Sequence, residues 1–125
     1  MIHAAYTQFR DEDGKLVLRL SAEGHAGAAT EGGDIVCAAV SALMQTLGNR
    51  AEGAALNGGA ELFQKTYCKA ENCFDVVTRA TEKEEQRFLA WYEFAREGLA
   101  QLARDWPERV ELEEHFGETE EEKTE

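Results

Sequence analysis

Apolar and polar positions alternate over residues 16–23, where Leu16, Leu18, Leu20 and Ala22 interleave with Val17, Arg19, Ser21 and Glu23. A period of two is that of a strand with one buried face. A second strand-like run, "IHAAYTQF" (2–9), precedes it, and "RDEDG" lies between the two. Asp13 followed by Gly14 is a strong turn signal, so the pair predicts a hairpin. From Asp34 to about Gly53 the period changes. Val36, Val40, Leu43, Leu47 and Ala51 recur at helical spacing, and Asp34 is a good N-cap. After "GAALNGG" come two more strand-like runs, "AELFQKTYCK" (60–69) and "NCFDVVTRA" (72–80), joined by Ala70 and Glu71. "TEKE" offers a capping box, with Thr81 as cap and Glu84 three residues on. The helix that follows carries Phe88, Tyr92, Ala95, Leu99, Leu102 and Trp106 on one stripe, and Pro107 ends it. "RVELEE" (109–114) is a short last strand.

The element order is therefore β-β-α-β-β-α-(β). Hairpins imply antiparallel pairing, and two helices need one sheet face to cover. The expectation is a two-layer α+β domain with an antiparallel sheet and two main helices. It occupies residues 1–116 as one domain. "GETEEEKTE" (117–125) has no apolar anchor and reads as a solvated, disordered acidic tail.

Composition narrows the function classes. With 125 residues and 43% hydrophobic residues the chain can bury one core. It has no uninterrupted apolar run of about 18 residues, so no membrane span is expected. "MIHAAYTQFRDEDG" lacks a basic segment followed by a long apolar one, so no signal peptide is read and a cytoplasmic address is expected. The formal net charge of -12 argues against a nucleic-acid partner, because no basic patch is available to release counterions. It is compatible with a basic protein partner.

The cysteines are Cys37, Cys68 and Cys73. An odd number without a secretion signal is poor material for a disulfide framework. Cys68 and Cys73 could join His3, His25 or His115 around zinc. No second cysteine pair accompanies them, so no metal and no cofactor are expected, and both read as strand residues.

The candidate chemistry lies in "GHAGAATEGGDIVCAAVSA" (24–42). On a helical projection of about 100° per residue, Asp34, Cys37, Ser41, Gln45, Gly48 and Glu52 share an arc apart from the apolar stripe. Cys37 is thus expected on the polar side and in the first turn, where free N–H groups and the helix dipole favour a thiolate. His25 precedes it on a glycine-rich loop and could accept the thiol proton. Asp34 could cap the helix or orient His25. Ser41, one turn beyond Cys37, could hydrogen-bond the thiol or a substrate. The plainer alternative is a buried thiol, an unrelated histidine and a flexible connector carrying Gly24, Gly27, Gly32 and Gly33.

Gly24-His25-Ala26-Gly27, followed by Gly33-Asp34-Ile35-Val36-Cys37-Ala38-Ala39-Val40-Ser41, resembles the signature of the ribosomal-processing cysteine protease family, Prp. Residues 28–31, "AATE", do not follow the matched pattern. The resemblance implies a cysteine endopeptidase that removes the N-terminal extension of large-subunit ribosomal protein twenty-seven. Cys37 would be the nucleophile and His25 the base that later protonates the leaving amine. Gly24, Gly27, Gly33, Asp34 and Ser41 would support the site or its loop. It further implies a homodimer and a loop over about residues 26–36 that orders around substrate. Backbone N–H groups at the helix start, that of Cys37 among them, are candidate oxyanion donors. Two other functions compete: a non-catalytic ribosome-associated binding protein, and a thiol redox sensor acting through Cys37.

Overall fold

The computed structural model describes residues 1–25, 33–68 and 73–117. Five strands, β1 (Ile2–Arg10), β2 (Leu16–Glu23), β3 (Ala60–Cys68), β4 (Cys73–Ala80) and β5 (Val110–Phe116), form one sheet in the order β3-β4-β2-β1-β5. Helices α1 (Gly33–Leu56) and α2 (Glu85–Asp105) lie on one face of it. The β1–β2 hairpin closes where the Asp-Gly signal stands. The Asp11 carboxylate accepts the backbone N–H groups of Asp13 and Lys15, both at 3.0 Å.

The two-residue period of β2 becomes a division between faces. Leu16, Leu18, Leu20 and Ala22 are buried under the helices beside Ile2, Ala4 and Tyr6 of β1 and Phe74, Val76 and Ala80 of β4. From α1 the core takes Val36, Val40, Met44, Leu47 and Ala51; from α2 it takes Phe88, Tyr92, Ala95 and Leu99. Two layers result because each helix has one apolar stripe and the sheet offers one apolar face.

The architecture is the expected two-layer α+β domain, but the sheet is mixed. β5 pairs with β1 in parallel, whereas β1–β2, β2–β4 and β3–β4 are antiparallel. A hairpin turns the chain back, while a helical crossover returns it to the end it left, so the next strand runs parallel to the one before. Both helices act this way. β3 runs parallel to β2 with β4 between them, and β5 runs parallel to β4 with β2 and β1 between them.

Three local expectations also change. α1 begins at Gly33 and runs on to Leu56, so Asp34 lies inside the first turn rather than at the cap. The Thr81 hydroxyl makes no capping box. It donates to the Gly59 carbonyl at 3.1 Å, and a 3₁₀ turn (Glu82–Glu84) precedes α2. In β3 a bulge at Phe63 shifts the pairing between Leu62 and Gln64. The expected link through Ala70 and Glu71, and the acidic tail beyond Gly117, lie outside the described residues.

Candidate active site

β2 ends at Glu23, and Gly24 follows with φ +107°. That backbone region is strained for any side chain. Space forbids one as well: a Cβ on Gly24 would lie 2.3 Å from the Met1 carbonyl oxygen. Gly24 is therefore not slack in a connector. It is the point where the chain turns off the sheet against Met1, the residue before β1, and His25 stands exposed immediately beyond it.

Cys37 reaches the same end of the sheet by a different route. α1 is the crossover from β2 to the parallel strand β3, so it begins at the end where β2 finishes. Cys37 is the fifth residue of α1, one turn in rather than in the first turn. Only the first few N–H groups of an α-helix lack an intrahelical acceptor, which makes those that open α1 better oxyanion donors than the Cys37 N–H. Nor does Cys37 sit on a purely polar stripe. It is half-buried and packs against the core cluster, while Ser41 is half-buried one turn on. The physical reason is that Met44, fully buried, widens the apolar stripe toward the Cys37 edge.

That edge of α1 faces β3. The Tyr67 hydroxyl donates to the Gln45 carbonyl at 3.1 Å, and Lys65 Nζ lies 3.3 Å from Glu52. A Cβ at Gly48 would stand 2.6 Å from the Tyr67 hydroxyl, so the strand and helix meet closely here. Neither Gly48 nor Tyr67 stands out in the sequence, because their relation exists only once β3 lies under α1.

On the uncovered sheet face, a groove of about 370 Å³ opens beside Glu23, with Ser21 in it and His3, Glu111, Thr66 and Cys73 around it. His3 pairs with Glu111 at its rim, and Arg19 with Asp75 at 2.7 Å. Cys68 and Cys73 are strand residues directly opposite each other in the β3–β4 register. Among the described residues no group of three or more His, Cys, Asp or Glu side chains could hold a metal ion. No helix among the described residues is long and apolar enough to cross a membrane. Gly27 and most of the expected mobile loop lie outside the described residues. Gly33 opens α1.

Comparison with solved structures gives the same fold. Prp from S. aureus, an essential ribosomal processing protease, was solved with a substrate peptide and with a covalently linked product peptide. The substrate-peptide structure matches with a TM-score of 0.64 at 20% identity, over 91% of this chain and 99% of that one. The product-peptide structure matches with a TM-score of 0.63 at 21% identity over the same shares. SMU.848 from Streptococcus mutans matches with a TM-score of 0.60 at 26% identity, over 93% of this chain and 95% of that one. No curated protein sequence matches significantly. The family model described as cysteine protease Prp matches residues 1–111, from the start of β1 into β5. A match over that much of the sheet, both helices and the histidine and cysteine positions makes this chain a member of the cysteine protease Prp family.

Proposed function

We propose that this protein is a cysteine endopeptidase that removes the N-terminal extension of large-subunit ribosomal protein twenty-seven, with Cys37 as nucleophile and His25 as base. The observation that carries the reading is topological. The segment bearing His25 leaves the sheet at the end where the helix bearing Cys37 begins. Membership of a cysteine protease family and the peptide complexes of S. aureus Prp support it.

The chemistry follows from those positions. His25 takes the Cys37 proton, and the thiolate attacks the scissile carbonyl. The oxyanion is met by N–H groups of the opening turn of α1, whose dipole also favours the thiolate. The tetrahedral intermediate collapses as His25 returns the proton to the leaving amine. The resulting acyl-enzyme is hydrolysed by water, with His25 again as base. A basic ribosomal substrate is drawn to a chain of net charge -12, so the encounter rate falls as salt rises. The reading includes a cytoplasmic homodimer, which sedimentation at micromolar concentration tests.

The deciding experiment incubates the protein with a peptide spanning the extension junction and follows products by mass spectrometry. Wild type gives one cut, and Cys37→Ala lowers the rate by about three orders of magnitude or more. Cleavage by Cys37→Ala at the wild-type rate removes Cys37 from the mechanism. Equal peptide binding by wild type and Cys37→Ser, with no product from either, points instead to a non-catalytic binding protein.

A further inference from the structure

We propose that the outer edge of β3 is the strand on which substrate is held: an extended polypeptide segment pairs with it, main chain to main chain, and continues to Cys37. The ligand rests on the protease reading above; the surface itself does not.

β3 is terminal in the sheet, so one row of its backbone N–H and C=O groups faces away from β4. Among the described residues no strand pairs with that row. Such an edge is a template for another chain, and proteins usually blunt it by brevity, proline, outward charge or a bulge. β3 uses one of these devices, the bulge at Phe63, and leaves residues 64–68 in regular register. It is 9 residues long and carries no proline. Its lysine, Lys65, is committed to Glu52 and lies 5.2 Å over the Tyr67 ring. Phe63 and Tyr67 are instead 56% and 37% exposed. The bulge re-aims Phe63, which lines a groove with Val17 and Val77 on the uncovered face. Tyr67 leans the other way, onto α1. A strand added at this edge therefore finds an aromatic ring on each of its faces.

The edge is also continuous with the candidate nucleophile. The side of α1 that carries Cys37, Ser41 and Gly48 is the side that Tyr67 and Lys65 touch. β3 runs parallel to β2, so it ends where α1 begins. A peptide paired along β3 and carried past Cys68 arrives at the opening turns of α1. The edge leads to the candidate nucleophile, which is why the occupant proposed is substrate; two copies of β3 paired with each other would close that route. Pairing of this kind draws affinity from the main chain and selectivity from alternate side chains.

Two measurements test this, both with the junction peptide. In the first, single backbone N-methyl groups are walked along the peptide and binding to Cys37→Ala is followed by fluorescence anisotropy. Methylation at every second position should weaken binding about tenfold, with the intervening positions tolerated. Tolerance at all positions, or loss without alternation, overturns the proposal. In the second, amide hydrogen exchange of Cys37→Ala is compared with and without saturating peptide. Amides of residues 60–68 should slow about tenfold while those of β5 do not. Unchanged exchange at 60–68 overturns the proposal, and so does protection already present in a peptide-free dimer. Failure of the wild type to cleave the unmodified peptide would sink the protease reading, and neither measurement depends on that result.

Discussion

The α-carbon of Gly24 lies against the carbonyl of Met1, so closely that a methyl group there would sit 2.3 Å from the Met1 oxygen. The first residue of the chain thereby forms the seat from which the His25 segment departs. Gly24→Ala meets both a backbone clash and a positive φ, a strain on the order of 1–3 kcal/mol. The expected result is a modest fall in thermal stability with a fall in peptide turnover of about tenfold or more. Gly14→Ala is the control. Gly14 also has a positive φ (76°), but nothing lies within 4 Å of its Cβ position, and it stands at the opposite end of the sheet. It should lose stability and keep its turnover. Equal turnover losses in the two variants would remove the seat from the account.

Gly48→Ala sets two effects of similar size against each other. Alanine in a helix interior gains up to about 1 kcal/mol over glycine. The new methyl group displaces the Tyr67 hydroxyl and loses its bond to the Gln45 carbonyl, which costs about 1 kcal/mol. Tm should therefore change little, while amides near Tyr67 in β3 exchange faster. A Tm rise with unchanged exchange would mean that Tyr67 accommodates the methyl group in place.

Thr78 is a buried polar residue of the core, and its hydroxyl lies 2.9 Å from that of Tyr92, itself fully buried. Burial drives the Tyr92 phenol well above its ordinary range, so it is a neutral hydrogen-bonding group at any working pH. Thr78→Val keeps the shape and leaves Tyr92 only a long contact of 3.4 Å to the Val76 carbonyl. The loss should be about 1–3 kcal/mol, read as a Tm drop of several degrees. Thr78→Ser should recover most of it; equal losses for both would locate the effect in packing.

Arg10 of β1 holds Glu85 at the start of α2, with 2.5 Å between guanidinium and carboxylate. The hydrogen bond from Arg10 lowers the Glu85 carboxyl pKa below its ordinary value, and burial only partly offsets that. The folded protein thus binds this proton less readily than the unfolded chain. The stabilisation is present above the ordinary glutamate pKa and is lost as pH falls through the lowered one. Urea unfolding from pH 7 down to 3 should show stability falling less steeply in Glu85→Gln than in wild type. Identical pH profiles would show that the pair contributes nothing measurable.

The sequence by itself determined the element order, the single sheet with two helices, the buried face of β2 and the stripe of α2. Each of these is a local periodicity, and packing had only to satisfy it. His25 and Cys37 stood out for a similar reason, since the glycine-flanked histidine and the helix-borne cysteine each lie in a short local pattern. Only the tertiary structure decided the rest. The parallel entry of β5 depends on where α2 delivers the chain, which no pattern within residues 109–116 encodes. Thr81 turned from a helix cap into a bond with Gly59 because β3 starts beside it. Gly24 read as loop support or as part of a flexible connector, and its contact with the Met1 carbonyl exists only once β1 lies beside β2; Gly48 read as one position of a helical arc until Tyr67 lay over it. These are contacts between residues far apart in the chain, and their energies exist only after the sheet has assembled.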